Sequence, residues 1–131
     1  MKKHVINEFN SFKHDLLLEF AQITDKNDFF YQKYGKIKVY GGGGEGNTRE
    51  HNPPHFHLDL KNDNEIQVII PNNIDDDLLT IHGNLNSKLK KELLKWFLLP
   101  CKLDITHNNF EMIKILWNAL NNGDDNVDKI I

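Results

Sequence analysis

His55-Phe-His-Leu-Asp-Leu60, then Lys61-Asn-Asp-Asn64, then Glu65-Ile-Gln-Val-Ile-Ile70 is the stretch that decides the fold. In its first part apolar and polar residues alternate, as they do along a strand with one face against a core. Phe56, Leu58 and Leu60 share one face, and His55, His57 and Asp59 the other. Ile66, Val68 and Ile70 match the apolar face of a partner strand, and Glu65 and Gln67 the polar one. Asn62-Asp63-Asn64 accepts the left-handed backbone of a tight hairpin. A register that pairs Lys61 with Glu65 sets Leu60 against Ile66, Leu58 against Val68 and Phe56 against Ile70. A one-residue slip would turn the whole apolar set to water. The plain alternative to a chemical role is that His55, His57, Asp59, Glu65 and Gln67 are the solvated face of a one-sided sheet.

Outward from the hairpin, Lys36 to Tyr40 alternates like another strand, and Leu78 to His82 reads as a short fourth one before Gly83. Val5, Phe9, Phe12, Leu16, Phe20 and Ile23 step by three or four, which predicts an amphipathic helix over residues 4–23. Asp28 to Tyr34 reads as a short helix closed by Gly35, with an aromatic strand as the competing reading. Leu85, Leu89, Leu93, Trp96 and Leu99 line one side of a helix that begins at Ser87 and stops at Pro100. Asn108 with Glu111 is a capping-box start for a last helix with core residues Phe110, Ile113, Leu116, Trp117 and Leu120. The class is therefore α+β: an N-terminal helix, an antiparallel sheet of three to four strands, and two C-terminal helices on one sheet face. The 131 residues suit one domain over 1–123, with an N-terminal extension over 1–35, a core over 36–120 and an acidic tail over 124–131.

Composition narrows the function. The net charge of −3 does not draw nucleic acid to the molecule as a whole, and the lysines at 88, 90, 91 and 95 read first as a solvated helix face. One cysteine excludes an internal disulfide and a cysteine-rich zinc cluster. The longest apolar run, Trp96 to Leu99, is too short to span a bilayer, and no apolar segment follows Lys2 and Lys3 as in a signal peptide. The expectation is a cytoplasmic protein that does not enter membranes.

Chemistry concentrates in Arg49-Glu-His51-Asn-Pro-Pro-His55-Phe-His57-Leu-Asp59. Three of the seven histidines fall here, beside the only arginine. His55 and His57 are i and i+2 on a strand, so their rings leave the same face. Pro53 and Pro54 exclude a helix, and a Pro-Pro turn is one way to bring His51 over that face. His51, His55, His57 and Asp59 are thus candidate ligands for a divalent ion such as zinc or manganese, with Glu65, Gln67 and His82 around them. The same imidazoles, without metal, suit acid–base catalysis near neutral pH, with Arg49 holding an anionic substrate. Gly41-x-Gly43-x-x-Gly46 formally matches a dinucleotide fingerprint, but no helix follows it and no Lys-Ser/Thr completes a phosphate loop. The glycine run reads instead as a flap beside the histidines or a plain connection.

The segment His51-Asn-Pro-Pro-His55-Phe-His57-Leu resembles the signature of a family of small bacterial proteins of unknown function, marked by His-x-Pro-Pro-His-x-His. The resemblance extends over residues 36–120, through Ile37–Tyr40, Glu65–Pro71, Ser87–Leu99 and Asn109–Leu120. It implies a component of toxin–antitoxin type acting with a small protein encoded alongside, and it brings no established reaction. The N-terminal extension, the long glycine loop and the stretch Asp75–Gly83 depart from the family pattern. Two functions follow as expectations. One is a hydrolase or nuclease using His51, His55, His57 and Arg49. The other is a non-catalytic module that docks a partner, or a structural metal site.

Overall fold

A computed structural model describes residues 20–41, 53–121 and 130 of the chain. Five strands form one antiparallel sheet in chain order: β1 (Phe20–Gln22), β2 (Gly35–Tyr40), β3 (His55–Leu60), β4 (Glu65–Ile69) and β5 (Thr80–His82). Among the described residues three helices accompany it: α1 (Phe29–Lys33), α2 (Ser87–Leu98) and α3 (Asn109–Leu120). The class is α+β, with five strands where three to four were expected.

The extra strand corrects the N-terminal reading. The helix expected over 4–23 lies mostly outside the described residues, and its last part is β1, paired Phe20↔Tyr40, Ala21↔Val39 and Gln22↔Lys38. The period of three linked Phe20 to Ile23. The period of two that governs here instead buries Ala21 and Ile23 and leaves Phe20 to stack on Tyr40 at 5.3 Å. Ile23 N–H donates to the Ile37 carbonyl at 2.9 Å, and Ile37 N–H donates to Thr24 Oγ1 at 3.1 Å, so the edge continues beyond the strand.

The β3–β4 hairpin keeps the expected faces in a register two residues away. Leu58 faces Ile66 and Phe56 faces Val68. The turn closes one rung earlier: Leu60 N–H donates to the Asn64 carbonyl at 2.9 Å, and Asp63 takes the left-handed position at φ 67°. A shift of two preserves sidedness, so the hydrophobic pattern alone could not separate the two registers.

Both long helices start as their caps dictate. Asn86 Oδ1 accepts the Leu89 N–H at 2.9 Å. Asn108 and Glu111 form the full capping box, with bonds of 2.7 and 2.9 Å. Leu89, Leu93, Trp96 and Phe97 of α2 meet Phe110, Ile113, Leu116 and Leu120 of α3 in one core with Ile37, Val39, Phe56, Leu58, Ile66 and Val68. Phe56 and Phe97 make an edge contact at 5.9 Å across the sheet–helix boundary. Leu99, read as a core residue, is exposed, because the helix ends before it and Pro100 bridges to Asn108. Asn109 Nδ2 donates to the Trp96 carbonyl at 2.7 Å and fastens the two helices at their junction. Among the described residues no helix is long and apolar enough to cross a membrane.

Cys101 is fully buried at that junction, and burial pushes its thiol up. The native chain is therefore expected to react with a disulfide reagent at least about 100-fold more slowly than the denatured chain, which takes one equivalent. Equal rates would show that the junction opens freely.

Candidate histidine centre

β3 sends His55 and His57 to the face opposite Phe56 and Leu58, as strand alternation requires. At the histidines that face is covered, which corrects the open-sheet reading there: His55 is 2% exposed and His57 3%, while Asp59, Glu65 and Gln67 are partly exposed. Two aromatic residues account for part of the cover. Tyr40 of β2 has its ring centre 4.4 Å from that of His57, and Trp117 of α3 lies 5.5 Å from His55. The β2–β3 ladder ends at Lys38↔His57, just before Val39 and Tyr40. The end of α3 is fastened there: Asn121 Nδ2 donates to the Tyr40 carbonyl at 3.2 Å and to the Trp117 carbonyl at 2.9 Å. Gly41 permits this approach, since a β-carbon on it would stand 2.6 Å from the Leu120 carbonyl oxygen.

Each ring is oriented through Nδ1. His55 Nδ1–H donates to the Pro53 carbonyl at 2.8 Å, and His57 Nδ1–H donates to Glu65 Oε2 at 3.0 Å. A carbonyl oxygen only accepts, so the His55 proton sits on Nδ1 and the neutral ring carries its lone pair on Nε2. The Glu65 carboxylate selects the same tautomer at His57. Gln67 Nε2 donates to Glu65 Oε1 at 3.2 Å and steadies that carboxylate. The prolines also act through their carbonyls: Pro54 accepts the Ile70 N–H at 2.9 Å, which pins the dipeptide to β4.

Asp59, a candidate ligand from the sequence, is paired with a lysine. Its Oδ2 pairs with Lys38 Nζ at 2.8 Å, and this bond raises the Lys38 pKa. Among the described residues no group of three or more His, Cys, Asp or Glu side chains is gathered to hold a metal ion. The carboxylate that reaches the pair is Glu65, which faces Asp59 in the ladder and meets His57 on the diagonal. His51 and Arg49, candidates from the sequence, lie outside the described residues.

Compared with known proteins, the chain matches no family model, no curated protein and no solved structure.

The spacing of the two rings has its own chemical meaning. An ion about 2.1 Å from an imidazole nitrogen lies about 3.2 Å from the ring centre, so two histidines at a tetrahedral angle have centres about 5.2 Å apart. The His55 and His57 ring centres are 5.2 Å apart, with the planes inclined by 42°. Histidine ligands commonly give their other ring N–H to a carboxylate or a backbone carbonyl, and this pair gives one to each.

Proposed function

We propose that His55 and His57 hold one divalent ion, zinc or manganese, through Nε2, and that the chain is a small hydrolase of phosphoester bonds. The observation that carries this reading is the paired Nδ1 donation, to the Pro53 carbonyl and to Glu65. It fixes both tautomers with Nε2 as the ligating nitrogen before any ion arrives. Such an ion supplies a Lewis acid and an activated water. The chain's own contribution is orientation: Glu65 holds the His57 proton at Nδ1, Gln67 holds Glu65, and Tyr40 and Trp117 keep bulk water from the rings. His51 is the candidate third ligand and Arg49 the candidate anion holder, both from the sequence. The resemblance of residues 36–120 adds the setting: a cytoplasmic component of toxin–antitoxin type with a partner encoded alongside.

The test is elemental analysis of protein purified without a histidine tag. One equivalent of ion is expected in the wild type and none in the double variant His55→Ala/His57→Ala. Glu65→Gln keeps the ion but weakens its binding by about 10–100-fold, as loss of an outer-shell carboxylate does. A wild type that takes no ion after incubation with zinc or manganese overturns the proposal.

Burial favours a second reading, in which the ion is structural. Closed sites clamp, whereas catalytic sites keep an open position, and rings 2% and 3% exposed suit a clamp. Chelation would then lower the unfolding temperature, and the metal-loaded protein would cleave neither nucleic acid nor simple phosphoesters.

A further inference from the structure

Three lysines meet around a hollow at the far end of β3 from His55. The hollow, of about 300 Å³, is lined by Lys33 and Tyr34 at the end of α1, by Lys61 in the turn after β3, and by Lys88 in the first turn of α2. His55 starts β3 and Leu60 ends it, so the two places lie about 17 Å apart along the strand. The volume is at the small end of ligand sites and has room for a phosphate with a short attached group.

The charge here runs against that of the molecule. Acidic residues outnumber lysine and arginine, 19 to 16, yet among the described residues no Asp or Glu lines the hollow. One of the three lysine charges is offset from behind: Lys33 Nζ pairs with Glu92 Oε1 at 3.2 Å, and the Tyr34 hydroxyl donates to the same oxygen at 3.3 Å. Lys61 Nζ donates to the Gln32 carbonyl, which orients the ammonium group without neutralising it. Among the described residues the lysines in ion pairs are Lys33, Lys38, Lys90, Lys95 and Lys102, so Lys61 and Lys88 keep their charges.

Three ammonium groups brought to one concavity from three separate elements repel each other, and a bound anion removes that cost. With Glu92 set against Lys33, two positive charges remain, and an anion of charge minus two matches them. Lysine, a compact point charge with three donors, suits phosphate oxygens. The start of α2 is already closed by its own cap, since Asn86 Oδ1 accepts the Leu89 N–H at 2.9 Å, so the lysines themselves are the donors. We propose that this hollow binds the dianionic phosphate of a phosphate monoester through Lys33, Lys61 and Lys88, as a site separate from the histidine pair and independent of any ion there.

The test is a titration of the full chain, followed by backbone amide chemical shifts, with methyl phosphate and dimethyl phosphate as probes. At about pH 8 the monoester carries two charges and the diester one. Methyl phosphate is expected to bind saturably, with the shifts centred on residues 33, 61 and 88, and at least about ten-fold more tightly than dimethyl phosphate. The double variant Lys61→Gln/Lys88→Gln should weaken methyl phosphate binding at least about ten-fold. Lys36→Gln/Lys91→Gln removes the same two charges from exposed lysines outside the hollow, and at constant ionic strength should change the affinity less than about two-fold. Circular dichroism shows each variant still folded. No saturable binding by the wild type, equal affinity for the two esters, or equal weakening by the two lysine pairs would each overturn the proposal.

Discussion

Asp28→Ala is expected to destabilise the fold by about 2–4 kcal/mol, a large share of the total stability of a domain this size. Asp28 is buried, and its two oxygens do different work. Oδ1 accepts the Phe30 N–H at 2.9 Å and caps α1. Oδ2 accepts the Trp96 indole N–H at 2.7 Å, across to α2. Loss of the cap costs about 1 kcal/mol. Loss of the second acceptor leaves a buried indole N–H with nothing to receive it, which costs about 1–3 kcal/mol. The two parts separate experimentally. In Asp28→Asn one carbonyl oxygen remains for two donors, so about half the effect is expected. With Trp96→Phe as background the indole donor is gone, and Asp28→Ala should then cost only the cap. The measurement is the urea midpoint at constant m-value. A loss under 1 kcal/mol in the wild-type background would show that the Asp28–Trp96 bond does not hold α1 to α2.

That bond illustrates what the sequence withheld. Asp28 reads there as a polar residue before an aromatic run, and Trp96 as one member of a helical stripe. Nothing local links two positions sixty-eight residues apart. The elements with local chemistry were legible: the capping box at Asn108 and Glu111, the stop at Pro100, the hairpin turn at Asp63 and the two faces of β3 and β4. β1 was not, because Phe20 and Ile23 extend a helical stripe while Ala21 and Ile23 equally satisfy a strand. Only pairing with Val39 and its neighbours decides between them. At the centre, parity told which side chains share a face with His55 and His57, so Glu65 and Gln67 were within view. Parity says nothing of what packs on that face. Tyr40 and Trp117 reach the rings because Asn121 and Gly41 dock the end of α3 on β2, and no periodic signal marks either residue. The partner of Asp59 was hidden for a related reason: Lys38 is its neighbour only once β2 is laid against β3.

Gly35→Ala is expected to cost 3 kcal/mol or more, on the order of the largest single-site effects. Gly35 serves two purposes at once. It closes α1 after Tyr34, and it opens β2 directly opposite Leu60. Its φ of +144° lies where L side chains rarely go. A β-carbon on it would overlap the Asp59 carbonyl oxygen and stand 2.9 Å from the Leu60 α-carbon, both backbone atoms that cannot rotate away. Relief requires β2 to move off β3 at this end. The next pairs along the ladder are Lys36↔Asp59, Ile37↔Leu58 and Lys38↔His57, so the displacement runs towards His57. Loss of stability and, if the pair holds an ion as proposed, weaker ion binding there should therefore appear together in Gly35→Ala. Gly83→Ala supplies the contrast. Gly83, which follows the short edge strand β5, also has positive φ, +82°, but its nearest obstacles, the Glu65 carbonyl oxygen and Ile66 Cγ1 of β4, stand no closer than 3.0 Å. It should cost about 1–2 kcal/mol, less than Gly35→Ala. Equal midpoints for Gly35→Ala and wild type would mean that β2 and β3 do not approach as closely at Gly35 as their pairing here requires.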